Sequence, residues 1–130
     1  MVMSASVEAE IARMDPADQV AFLQDLGLTE STLTRFIRTA YGLLDLISFF
    51  TVGEDEVRAW PIKRGTHARQ AAGKIHSDLE RGFIRAEVMP YDAFAKYGSE
   101  HALREAGRLK VEGKDYVVQD GDILHIRFNV

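Results

Sequence analysis

The sequence predicts an α+β chain in which a short helical segment precedes a β-grasp (ubiquitin-like) sheet. Apolar residues recur at helical spacing up to about Leu44, and from Phe49 the period shortens to that of strands. A single later helical stripe, from Ala68 to Leu79, falls between strand-like runs, the order expected when one helix packs across a small mixed sheet. The switch of period near residue 47 divides the 130 residues into a helical segment, 1–46, and a β-grasp domain, 47–130.

Taken in order, Val7, Ile11 and Met14 lie at i, i+4 and i+7, giving Ser6–Met14 one apolar stripe. Asp15-Pro16-Ala17-Asp18 is a helix start: a capping carboxylate, proline at the first helical position, then another acid. Val20, Leu23 and Leu26 supply that helix with a buried face, and Gly27 stops it. Thr29 to Ser31 can cap a third helix, with Leu33, Phe36, Ile37, Ala40, Tyr41 and Leu44 at helical spacing. No charged residue interrupts these stripes, so all three are read as packing faces of a hairpin-like bundle.

Phe49–Gly53 and Glu56–Ile62 are β-rich runs joined at Glu54-Asp55, a hairpin in which Pro61 fits an edge or a strand end. Gly65-Thr66 breaks the strand and starts a helix whose buried stripe is Ala68, Ala71 or Ala72, Ile75 and Leu79. Gly82 ends that helix and Phe83–Val88 alternates as a strand. Pro90–Tyr97 and Ser99–Ala106 read as short helical insertions bounded by Gly98 and Gly107. A short strand is expected near Tyr116–Val118. Asp120-Gly121 then turns into Asp122–Val130, where Leu124, Ile126, Phe128 and Val130 alternate with His125, Arg127 and Asn129.

Composition narrows the function. With no cysteine, disulfides, thiolate metal sites and a cysteine nucleophile are excluded. No apolar run approaches the roughly 20 residues of a membrane helix, and no signal peptide opens the chain, so a cytoplasmic protein without a membrane partner is expected. The net charge of −4 hides an asymmetry: residues 1–56 carry three basic against ten acidic side chains, residues 57–130 thirteen against ten.

Catalytic motifs are weak. Ala68-Arg-Gln-Ala-Ala-Gly-Lys-Ile75 lies one residue from a phosphate-cradling P-loop, but Ile75 offers no hydroxyl for Mg²⁺ and the glycine-rich bend is missing. Among His67, His76, His101 and His125 no metal-ligand spacing occurs, and His67 and His76 would face opposite sides of a helix, so no metal is expected. Asp120 and Asp122 flank a turn glycine and are read as stabilising that turn. No Ser/His/Asp arrangement or carboxylate pair announces itself, so no catalytic residue is assigned. The basic stretch is more informative. Arg58, Lys63, Arg64, Arg69, Lys74, Arg81 and Arg85 face only Asp78 and Glu80 between them. Arginine forks suit phosphates, and His76 with the edge of Trp60 can stack on unpaired bases, so these residues form the candidate RNA- or ribosome-binding set.

Four motifs carry a family resemblance: Glu56-Val-Arg-Ala-Trp60, Gln70-Ala-Ala-Gly-Lys-Ile-His76, Gly82-Phe-Ile-Arg-Ala-Glu87 and Gly113-Lys-Asp-Tyr-Val-Val-Gln-Asp-Gly-Asp122. In this order, and with the terminal Phe128-Asn129-Val130, they resemble the C-terminal region of the YchF/Obg-like ATPases. The resemblance implies that residues 47–130 are a TGS domain, the β-grasp module also found in threonyl-tRNA synthetases and stringent-response enzymes. It implies a parent nucleotidase that prefers ATP over GTP, uses Mg²⁺ and associates with ribosomes. This sequence departs from the family in lacking the nucleotide-binding core, so the chain alone is expected to be inactive and to hold no cofactor. Val2-Met-Ser-Ala-Ser6 resembles the last strand and base-contacting loop of that core, which makes Ser4 and Ala5 its remnant nucleotide contacts. The implied partners are the ribosome or structured RNA and the nucleotidase core of the same parent, with no DNA expected; an intramolecular regulatory role is the alternative.

Overall fold

A computed structural model describes residues 1–130 and divides them into two units, Met1–Leu44 and Asp45–Val130. The first unit holds α1 (Ala5–Ile11), α2 (Pro16–Asp25) and α3 (Thr32–Leu43). Pro16 opens α2, and Gly27, at φ +69°, turns the chain after it. Ser31 caps α3 by accepting the Thr34 N–H at 3.2 Å. Glu8 of α1 adds a second cap, its two carboxylate oxygens accepting the Thr32 and Leu33 N–H groups at 2.9 and 3.2 Å. These bonds satisfy donors that the first turn of α3 leaves free.

The α1 stripe is covered as expected, with Ile11 buried and Val7 and Met14 half-buried, but the stripes of α2 and α3 are largely exposed. Ile11 is its one buried residue, while Val20, Leu26, Leu33, Phe36, Ile37, Tyr41 and Leu44 are exposed. Three helices this short lack the volume to enclose an apolar face on every side. Their periodicity correctly marks helices, but it does not say what covers them.

The second unit contains β1 (Leu46–Val52), β2 (Val57–Lys63), α4 (Ala68–Ile75), α5 (Ser77–Arg81), β3 (Phe83–Pro90), α6 (Tyr91–Tyr97), α7 (Glu100–Glu105), β4 (Lys110–Glu112) and β5 (Asp122–Phe128). The five strands form one mixed sheet in the order β2-β1-β5-β3-β4. β1 and β5 run parallel at its centre, and the other pairs are antiparallel. With α4 across the sheet, this is the β-grasp arrangement. Pro61 sits opposite Ser48 on the edge strand β2, where its missing N–H costs no ladder bond.

Alternation along the strands sends side chains to two faces. On one, Ile47, Phe49, Ile62, Ala86, Val88, Leu124 and Ile126 pack against Ala68, Ala71 and Ala72 of α4. Phe49 is fully buried and stacks on Trp60 with ring centroids 6.4 Å apart. On the other, Met89 and Ile123 bury Leu103 of α7, flanked by Phe50, Phe94 and Tyr97. The insertion α6–α7 therefore closes part of the face that α4 leaves open.

Three local features differ from expectation. The helix predicted to run through Leu79 breaks at His76, whose extended backbone (φ −161°, ψ 144°) ends α4 and begins α5. The His76 Nδ1 accepts the Asp78 N–H at 3.1 Å, a cap that rewards the break. Ile75 and Leu79 still both reach the core, so the apolar spacing concealed the interruption. The strand expected at Tyr116–Val118 is a single bridge, Val117 to His67, and the pairing strand is Lys110–Glu112 instead. Tyr116 and Val118 bond to the chain entering α4: Tyr116 O accepts the Ala68 N–H at 2.8 Å and Thr66 O accepts the Val118 N–H at 3.0 Å. Gly82 stands where the backbone passes closest to the final residues, since a Cβ there would lie 2.3 Å from the Asn129 carbonyl oxygen. No helix is long and apolar enough to cross a membrane.

Candidate nucleic-acid interface

The basic segment folds onto several elements. Arg69 and Lys74 project from α4, Arg81 from α5, and His76 occupies the junction between them; all four are exposed. Arg69 donates from Nε to the Glu80 carbonyl at 3.1 Å, which ties the two helices together. Arg81 pairs with Asp78, whose other oxygen lies 3.6 Å from the His76 Nδ1. Lys74 makes no ion pair. These two helices thus carry four exposed cationic or ionisable side chains, with Asp78 and Glu80 among them, and Arg69 and Lys74 stand about 140° apart around α4.

The remaining candidates stand elsewhere. The Arg58 guanidinium lies 4.1 Å over the Trp60 ring on edge strand β2. Trp60 also stacks on Phe49 and donates from Nε1 to Thr51 Oγ1 at 2.9 Å, so its ring is engaged in the fold. Lys63 ends that strand, and Arg64, in the turn after it, pairs with Asp45 at 3.2 Å. Arg85 pairs in register with Arg127 of β5, away from α4. In the first unit, Ser4 caps α1 through its carbonyl, which accepts the Glu8 N–H at 3.1 Å, and Ala5 is the first helical residue; both are exposed. Ala68–Ile75 is helical throughout, and the Glu80 carboxylate occupies the space beside Gly73. A helix with a negative group there is not a phosphate cradle, so this segment is no P-loop.

A second charged cluster joins β3, α7 and β5. Glu87, buried in β3, accepts Arg104 Nη2 of α7 and Arg127 Nη2 of β5, each at 3.1 Å. Arg104 also reaches Glu100 at 3.1 Å, and the His125 Nδ1 lies 3.1 Å from Glu100. Burial pushes the Glu87 carboxyl up, but the Arg127 hydrogen bond and charge, joined by Arg104 and His125, overcome it and hold the group below its ordinary value. Donor atoms of Glu87, Glu100 and His125 lie within 4.8 Å of one another, a spacing that admits a cation. Two guanidiniums already neutralise Glu87, so the cluster is an ion-pair clamp between α7 and the sheet. A charged residue between Ala86 and Val88 was its only trace in the sequence.

A further carboxylate organises the last turn. Asp122 Oδ2 accepts the Tyr116 hydroxyl at 2.7 Å and the Gln119 N–H at 2.9 Å, whereas Asp120 reaches across to the Ser48 N–H at 2.9 Å. Burial, with the Asp122 hydrogen bond and charge and a contribution from Glu112, raises the Tyr116 phenol above its usual range.

A family model for the C-terminal region of YchF-type GTPases, described as a protein of unknown function (DUF933), matches residues 46–129. The chain belongs to the YchF GTPase C-terminal family. Among curated YchF relatives, the ribosome-binding ATPase YchF of Haemophilus influenzae is 52% identical over 126 residues, 97% of this chain and 35% of the relative. The protein of the same name from Bacillus subtilis is 49% identical over 130 residues, all of this chain and 36% of the relative. The solved Schizosaccharomyces pombe YchF GTPase matches with a TM-score of 0.84 and 41% identity, covering 96% of this chain and 33% of that one. The chain thus spans about a third of the length of the YchF proteins it matches.

Proposed function

We propose that this chain is the C-terminal portion of a cytoplasmic, YchF-type ribosome-binding ATPase and supplies its RNA- or ribosome-facing surface. In this reading residues 47–130 are a TGS domain, residues 1–46 the end of the nucleotidase domain and the helices that follow it. ATP and Mg²⁺ belong to the nucleotidase core of the longer protein, with Ser4 and Ala5 beside the base. The observation that carries the reading is the set of exposed side chains on α4 and α5, Arg69, Lys74, His76 and Arg81. It occurs in a chain half identical to proteins named for ribosome binding.

Phosphate contacts release counterions, so binding to ribosomes or structured RNA should weaken steeply with salt. Charge reversal at Arg69, Lys74 and Arg81 together should reduce both affinity and the salt slope; unchanged binding sinks the proposal. The chain alone should not hydrolyse ATP, and turnover by the purified protein would overturn its assignment as a binding module.

A second reading is favoured by some of the exposed apolar residues of the first unit: Met1, Met3, Phe36 and Leu43, with Thr39 and Ala40, line a groove of about 470 Å³. Such a surface suits docking on the nucleotidase core of the same parent and regulation of its motion. Adding this chain in trans to a core lacking it should change the ATPase rate; no change at saturation argues against docking.

A further inference from the structure

A slot of about 380 Å³ opens between β1 and the start of α6, lined by Ser48, Phe50, Tyr91, Asp92, Asp120 and Asp122 among others. Its walls are aromatic. The Phe50 and Tyr91 rings lie 6.3 Å apart, tilted by 41°, and Tyr91 is 57% exposed although it belongs to no sheet and fills no core. Its rim is acidic, and no lysine, arginine or histidine is among the lining residues. Asp122 is buried, and its Oδ2 accepts both the Tyr116 hydroxyl and the Gln119 N–H, so it is held by the fold. Asp92 and Asp120 are different: both are exposed and neither forms an ion pair. Asp120 is held in place by the Ser48 N–H on Oδ1, and Oδ2 accepts no hydrogen bond.

We propose that this slot receives an arginine side chain carried by a basic protein segment. A guanidinium is flat and weakly hydrated, so it can lie on the Tyr91 face while its N–H fork meets the carboxylates. Its three-carbon stem matches the apolar wall at Phe50. A lysine ammonium offers neither the plane nor the fork, and a nucleic-acid phosphate would meet two uncompensated negative charges. The slot stands on the sheet side away from α4, so it is separate from the cationic side chains proposed for RNA and does not depend on that reading.

The test is a titration of the isotope-labelled 130-residue chain, followed by NMR, with capped Gly-Arg-Gly peptide. Parallel titrations use the citrulline and lysine analogues and a single-stranded RNA octamer. The arginine peptide should shift the amides of Ser48, Phe50, Tyr91, Asp92 and Gly121 saturably. The uncharged citrulline peptide should bind about tenfold more weakly, and the lysine peptide more weakly than arginine. Asp92→Asn, at an exposed side chain in the first turn of α6 that forms no ion pair, should weaken the arginine peptide about threefold, as expected for an exposed charge pair. Equal shifts from arginine and citrulline, no saturable shift at these amides, or the same amides moved by RNA would each overturn the proposal.

Discussion

Replacing Glu87 with glutamine should expose how much the buried ion pairs hold the second unit together. The carboxylate accepts two guanidinium bonds at 3.1 Å, and its side chain is 3% exposed. Hydrogen bonds to charged groups contribute roughly 1.5–3 kcal/mol each. Arg104 and Arg127 are 50% and 42% exposed, however, so water recovers part of what they lose, and glutamine retains one acceptor oxygen. The net loss at pH 7 should be about 1–2 kcal/mol, or a fall in Tm of about 4–16 °C for a unit of this size. Trp60, the only tryptophan, lies in the second unit, so its fluorescence during urea unfolding follows that unit alone. Because the folded carboxyl titrates below its ordinary 4.5, the unfolded chain takes up the proton first. The contribution of Glu87 is therefore complete above pH 4.5 and lost as pH falls through its folded value. The gap between parent and Glu87→Gln midpoints should accordingly close below pH 4.5. Equal midpoints at pH 7, or a gap that stays constant on acidification, would refute the reasoning.

Two other substitutions test the backbone. Gly82→Ala places a Cβ 2.3 Å from a backbone oxygen that cannot rotate away, so urea unfolding should show a loss of about 1–3 kcal/mol. His76→Ala removes the cap of α5 and should cost about 0.5–2 kcal/mol, seen as faster amide exchange at Asp78–Arg81 while β3 and β5 stay protected.

The fold was legible where one rule governed a segment. Leu124 and Ile126 alternate with His125 and Arg127 as a half-covered strand must, and Pro16 and Gly27 bracket α2 by backbone chemistry alone. Legibility failed where two rules gave the same pattern. Ile75 and Leu79 keep helical spacing across a break, because a capped kink preserves the facing of both side chains. Tyr116–Val118 carries strand residues, yet the Tyr116–Asp122 bond and the α4 entrance claim its partners. The charged sites divide in the same way. A run of arginines is visible in one dimension, although folding sends Arg85 beside Arg127 and the others to two helices and an edge. The Glu87 clamp gathers residues from β3, α7 and β5, and no local spacing encodes that meeting.

The strand order has a consequence for the time course of folding. β5 is the last strand in sequence and lies at the middle of the sheet, between β1 and β3. Until it is made, the β1–β2 hairpin and the β3–β4 pair can form but have nothing to join them. Each then shows an open, apolar inner edge, the condition in which partly made sheets pair with the wrong chain. The contact between Phe50 and Ile123 must close a long stretch of backbone before it repays that entropy, so joining the halves should be the slow step of folding.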